Sequence, residues 1–229
     1  MVALSESERA RSTIMAAVNS CTSACAPCAS QAAQSLYVNQ SPYAEAQPPD
    51  DVTARAETFR RRLEAVDGHC FLARDEREAA HHVSRVIDEV KATRIATSGS
   101  PSLMPVREHV GPRVEWFAAG AASRSQLFGC EVGLTSAQWA IAETGTLVLE
   151  SESERHRLAS LIPPVHIAVL EASRVLATYG EALAVLRRQG QLSHAVTFIT
   201  GPSRTADIEL TLAMGVHGPR EVYVILVEA

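Results

Sequence analysis

From Val52 onward the apolar residues switch repeatedly between the spacing of a helix and that of a strand, and this alternation narrows the fold more than any other feature of the chain. Val52, Ala56, Phe59, Leu63 and Val66 recur at four and three residues, one face of a helix that Asp67-Gly68 stops. His69–Leu72 reads as a strand. Asp75–Lys91 reads as a second helix, with Ala79, Val83, Val86, Ile87 and Val90 on its apolar face. Arg94–Thr97 is a short strand running into Ser98-Gly99-Ser100-Pro101, Leu103–His109 a helix, and Val114–Phe117 another strand. A chain ordered helix, strand, helix, strand must cover both faces of a mostly parallel sheet with its helices, so the expected class is α/β.

The middle of the chain interrupts that order. Val132–Leu134, Ala140–Ala142 and Thr146–Glu150 are short strands, and the last two face each other across Glu143-Thr144-Gly145, a hairpin with glycine at its turn. Ser153–Leu161 reads as a short helix closed by Pro163-Pro164, and Val165–Leu170 as a buried strand. Thr178 and Glu181 form a capping box for a helix reaching Arg188. Val196–Thr200 and Val222–Val227 are the last two strands, giving one α/β domain over residues 50–229.

The first 49 residues have a different character. Ser5 and Glu8 make a capping box for a short helix to about Asn19, and Cys21–Pro49 is an Ala/Ser/Gln/Pro-rich arm whose one charged residue is Glu45. Cys21, Cys25 and Cys28 have the spacing that radical-SAM enzymes use for a 4Fe–4S cluster, but nothing else follows that pattern, and chance clustering explains it better. No metal or cofactor is expected. The 229 residues carry 21 Lys and Arg against 26 Asp and Glu, a net charge of −5, which argues against nucleic acid as the main partner. No apolar run approaches a membrane span, and no signal-peptide core follows Met1, so the expected compartment is cytoplasmic.

Open α/β sheets bind ligands beyond the carboxyl ends of their strands, so the loops there carry the candidate chemistry. Ser98 and Gly99 follow a strand and can turn backbone N–H groups toward an anion. Glu143, beside Thr144, Gly145 and Thr146, is a candidate nucleophile or base on a hairpin tip. Gly201-Pro202 forces a turn, after which Ser203 or Thr205 can cap a short helix whose first turn binds an anion, with Arg204 adding a bidentate contact and Asp207 close by. His217, between Val216 and Gly218-Pro219, is presented on a constrained loop as a second candidate catalytic group. His166 lies inside an apolar strand and reads as a core histidine. His81 and His82 are adjacent on a helix, so they cannot share a metal from one face.

Several of these segments carry a resemblance. Gly133-Leu134-Thr135, Ala140 through Leu149, Leu161 through Ile167, Gly201 through Glu209 and Gly215 through Arg220 look like successive motifs of the LUD domain, in the same order. The chain from roughly residue 52 resembles the lactate-utilisation protein C family. That resemblance implies a NagB/RpiA/CoA-transferase-like fold. It also implies a part in oxidising L-lactate to pyruvate beside two partner proteins that hold iron–sulfur clusters, this component holding none. Glu143 is similar in setting to the nucleophilic glutamate of CoA transferases, an analogy of fold alone.

Two functions follow. In one the chain is an accessory subunit of a lactate-oxidising system, possible also as a homo-oligomer, that binds a small carboxylate- or phosphate-bearing ligand. In the other it is a free-standing acyl- or CoA-transferase-like or phosphosugar-isomerase-like enzyme. A deep pocket holding Glu143, Arg204 and His217 together would favour the second, and a further expectation is that Glu143, Arg204, Asp207 and His217 converge on one cleft.

Overall fold

Asp51 and Asp75 each start a helix by accepting a backbone N–H of the first turn, from Ala54 at 3.1 Å and from Glu78 at 2.8 Å. The computed structural model describes residues 51–154, 157–188, 193–206, 212–214 and 218–228. The expected N-terminal helix and arm, with Cys21, Cys25 and Cys28, lie outside the described residues, as do Asp207 and His217.

The described helices are α1 (Val52–Glu64), α2 (Glu76–Glu89), α3 (Met104–Val110), α4 (Arg124–Phe128), α5 (Ser151–Glu154), α6 (Leu158–Leu161) and α7 (Tyr179–Arg188). The strands are β1 (His69–Ala73), β2 (Arg94–Thr97), β3 (Glu115–Ala118), β4 (Val132–Ser136), β5 (Trp139–Ile141), β6 (Thr146–Glu150), β7 (Val165–Glu171), β8 (Val175–Leu176), β9 (Val196–Ile199), β10 (Arg204–Ala206), β11 (Leu212–Met214) and β12 (Glu221–Val227).

Six strands form an all-parallel sheet in the order β1-β12-β7-β4-β2-β3. Its centre, β7 and β12, has the longest apolar runs, as expected of strands covered on both faces. Alternation divides their side chains. Val165, Ile167, Val169, Tyr223, Ile225 and Val227 pack under α2 and α3, against Ala80, Val83, Ile87 and Val106. Ala168, Leu170, Val222, Val224 and Leu226 face the other way, onto Phe59 and Leu63 of α1 and Leu147 and Leu149 of β6.

That second layer includes a mixed four-stranded sheet, β8-β5-β6-β9, whose outer side (Ile141, Val148) is closed by Ala182 and Leu186 of α7. Fully burying a Leu or Phe is worth about 1.5–3 kcal/mol, so these two contact layers carry the fold.

Several expectations change. The segment after Gly201-Pro202 is not a helix. It runs extended as β10 and pairs antiparallel with β11, Arg204 opposite Met214. Ser203 uses its N–H on the Pro219 carbonyl at 2.8 Å instead of starting a helical turn, so no helix N-terminus is formed among the described residues 203–206. The expected helix Ser153–Leu161 is two short pieces, α5 and α6. The strand β8 and the helix α4, opened by a Ser123/Gln126 capping box, were not anticipated. No described helix is long and apolar enough to cross a membrane.

Candidate functional site

The route of the chain through the parallel sheet marks a crevice before any side chain is considered. From β2 the chain goes outward to β3, whereas from the neighbouring β4 it proceeds to the opposite side, to β7. The carboxyl ends of β2 and β4 therefore flank the position where the connections diverge, which is where open α/β sheets bind ligands. A cleft of about 360 Å³ opens at these ends. It is lined by Ser100 and Ser102 after β2, Ser136 and Gln138 at the end of β4, Glu171 and Arg174 after β7, and Glu76 at the start of α2. A more open recess of about 420 Å³ shares Gln138, Ser153 and Arg174 with it and continues to Trp139, Glu150 and Glu152.

One hydrogen-bond network organises the floor. Ser136 Oγ donates to Glu154 Oε1, and Gln138 Nε2 donates to the same oxygen at 2.9 Å. Gln138 Oε1 accepts the backbone N–H of Glu150 at 2.6 Å. Because α5 follows β6 directly, the second sheet delivers the Glu154 carboxylate to the carboxyl edge of the first. Glu154 is 1% exposed, and its Oε2 has no hydrogen-bond partner among the described residues. The cleft's cation, Arg174, pairs through Nε with Glu171 at 3.5 Å and lies over the Trp139 ring.

Behind the floor, on the face toward α6, a second polar group is buried. Thr135 Oγ1 lies 2.8 Å from His166 Nε2, and His166 is fully buried. Burial alone pushes the His166 imidazole down to about 4, which keeps it neutral at physiological pH. Its Nδ1, and the Oγ of the neighbouring Ser98, have no partner among the described residues. The core-histidine reading of His166 is thus half satisfied: one ring nitrogen is bonded and the other is not.

The residues singled out from the sequence are distributed as follows. Ser98 and Gly99 end β2 and lead into the cleft, the Ser98 N–H being held by the Leu134 carbonyl at 3.0 Å. Glu143 sits on the β5–β6 hairpin, and its carboxylate accepts the Tyr179 N–H at 3.1 Å, where α7 begins. Thr144, Thr146 and Thr200 form a hydroxyl chain with spacings of 2.6 and 2.7 Å. Gly145 has φ +66°, and a β-carbon there would lie 2.4 Å from the Leu63 nitrogen, so only glycine lets the hairpin rest on α1. Gly201 lies against Val66, and Arg204 forms an ion pair with Asp67 in the turn after α1. Glu143 and Arg204 thus have separate partners, and neither lines the cleft. Thr205 is described as backbone within β10.

Residues 56–227 match the LUD domain. The chain belongs to the LUD domain family. Among its LUD relatives, the lactate utilization protein C of Bacillus licheniformis is 34% identical over 119 residues, half of each chain. A protein of Escherichia coli K12, described as uncharacterized protein YkgG, is 33% identical over 162 residues, 66% of this chain and 70% of that one. The chain spans about half the length of the first curated relatives it matches. The crystal structure of a DUF162 family protein from Deinococcus radiodurans superposes with a TM-score of 0.60 at 23% identity. It covers 78% of this chain and 99% of that one, a likeness of fold.

The LUD motifs read from the sequence build the cleft more by scaffolding than by contact. Gly133-Leu134-Thr135 is the centre of β4, the Glu143 motif is the hairpin leading to β6 and Glu154, and Leu161–Ile167 runs from α6 into β7. The cleft-lining Ser136, Gln138 and Arg174, and Glu154 buried behind the first two, lie just outside those motifs. The signal that finds them is positional: Ser136 and Gln138 close a strand at the divergence point. Glu154 carries no such signal, because Ser151-Glu152-Ser153-Glu154 holds no apolar residue to mark a buried face.

Proposed function

We propose that this chain is the accessory component of an L-lactate utilisation system and binds a small carboxylate in the cleft at the ends of β2, β4 and β7. The observation that carries the reading is Arg174, the one Lys or Arg among the described cleft-lining residues, set beside the hydroxyls of Ser100 and Ser102 and the amide of Gln138 at the sheet's divergence point. The ion pair to Glu171 uses Nε, so the terminal guanidinium nitrogens remain for a bidentate carboxylate contact. The names of the relatives support the lactate assignment. With it go iron–sulfur partner proteins and a NagB/RpiA/CoA-transferase-like origin for the fold, both part of the proposal.

Calorimetric titration of the purified chain with L-lactate tests the ligand half. A charge-assisted bond to a carboxylate is worth about 1.5–3 kcal/mol, so Arg174→Ala is expected to weaken binding about tenfold or more. Arg204→Ala should change it by less than about twofold. The reverse pattern would return the ligand to the Gly201–Thr205 turn, with Arg204 as its anchor. The partner half is tested by affinity purification from native cells grown on L-lactate. Proteins with iron–sulfur absorbance in the visible region are expected to co-purify, and a chain recovered alone under mild conditions would count against the complex.

A further inference from the structure

We infer that Glu154 fixes the hydrogen-bond sense of Ser136, so that the cleft floor accepts a hydroxyl and selects a hydroxy acid over the oxo acid of the same skeleton; the inference rests on the carboxylate-binding role proposed above. One chain of donors sets that sense. The backbone N–H of Glu150 can only donate, so the Gln138 atom it meets at 2.6 Å is the amide oxygen. That fixes which way the amide faces, and it turns Gln138 Nε2 toward Glu154 Oε1, 2.9 Å away.

Oε1 is therefore already an acceptor when Ser136 reaches it, and the Ser136 hydroxyl proton points at the same oxygen. A serine hydroxyl has one proton and two lone pairs. With the proton committed to a carboxylate that is 1% exposed, Ser136 has only lone pairs left for the cleft it lines. Glu154 Oε2, buried and without a partner among the described residues, adds a second acceptor to the same network. The second N–H of Gln138 Nε2 is the donor this network keeps, and in the site proposed above it joins Arg174 on the carboxylate.

The opposite need is met at one place. Arg174 is the one Lys or Arg among the described lining residues, and Glu76 repels a carboxylate from its own part of the rim, so an acid docks with its carboxylate on the terminal nitrogens of Arg174. Its neighbouring carbon then faces the acceptor floor. A hydroxyl there donates to Ser136. A carbonyl oxygen sets lone pair against lone pair, and a methylene leaves the buried acceptors without a donor. Sites built to pair with a substrate hydroxyl reject analogues lacking it far more strongly than apolar pockets reject a changed methylene, because buried polar groups are left unpaired. Ser136 is the specificity-determining residue and Glu154 the positioning residue behind it.

The test is a titration of wild type, Ser136→Ala and Ser136→Cys with L-lactate, pyruvate and propionate. Wild type is expected to bind L-lactate about tenfold or more tightly than either analogue. In Ser136→Ala, confirmed as folded by its thermal melt, L-lactate should fall to the level of propionate. Ser136→Cys keeps the shape but offers sulfur, a weak acceptor, so the preference should drop there as well. Pyruvate binding as tightly as L-lactate in wild type, or a preference that survives in the folded serine variants, would overturn the inference while leaving the carboxylate site standing. Failure of all three acids to bind wild type would overturn both.

Discussion

Replacing Gly133 with alanine, the smallest change available, is expected to cost the fold more than about 3 kcal/mol. Gly133 lies in β4, where α6 crosses the sheet so closely that a β-carbon would lie 1.8 Å from the Ala159 carbonyl oxygen and 2.9 Å from its carbon. Those are backbone atoms, and no rotamer change relieves the contact. The helix would have to lift off the strand, and lifting it opens the small cluster of Ala96, Phe117, Leu127 and Ala159 beneath it. In a domain of this size each kcal/mol is worth about 2–4 °C, so the melting temperature should fall by at least about 6 °C. Gly180→Ala is the matched control. The nearest atom to its added carbon is Thr178 Oγ1 at 3.7 Å, and alanine is the better helix former, so that variant should melt at or slightly above wild type. Gly133→Ala melting within a degree or two of wild type would mean that α6 is not held against β4.

The same strand shows why the fold was largely legible and the cleft was not. Secondary structure in β2, β6, α1 and α2 follows local rules of period and capping, and each was readable to within a residue or two. The Arg204 segment differs because Gly201-Pro202-Ser203-Arg204-Thr205-Ala206-Asp207 is a good helix start in isolation. The competing partners are not in the local pattern: Pro219, for the Ser203 N–H, lies sixteen residues on, and β11, for the strand, six to ten residues on. Cleft residues fail for a similar reason. Glu154 acquires its character only because the second sheet turns it inward onto Ser136 and Gln138, sixteen to eighteen residues back along the chain. Ser98 and Gly99 are singled out by their place after a strand, but the cleft is lined by Ser100 and Ser102, which come next. Glu143 looked reactive from its neighbours. In the folded chain its carboxylate receives the first N–H of α7, a contact with no local signature.

Acid is expected to unfold this protein in a way that one buried imidazole largely sets. A neutral histidine carries one N–H and one lone pair, and an orphaned lone pair costs less than an orphaned donor. Nε2 therefore holds the proton and donates to Thr135 Oγ1, and Nδ1 is left as a bare acceptor. Protonation would place a second N–H, and a charge, where no described group accepts it. Burial thus pushes His166 from 6.5 down to about 4 in the fold. The unfolded chain then binds more protons than the folded one between those values, and stability rises with pH across that window. Going from pH 7 down to pH 4 should remove about 3 kcal/mol through this residue, with less than about 1 kcal/mol more from it below pH 4. Glu57 and Glu78, held below the usual carboxylate range by Arg60 and Arg74, act in the same direction at lower pH, so the slope of wild type alone does not isolate the histidine. The comparison with His166→Gln does. The amide can still reach Thr135 but does not titrate, so the variant should start less stable at pH 7 and lose about 3 kcal/mol less on acidification. Urea denaturation at half-unit steps from pH 7.5 to pH 4 measures both curves. Two parallel curves would show that His166 is not held neutral by its burial, and that a partner for Nδ1 exists in solution.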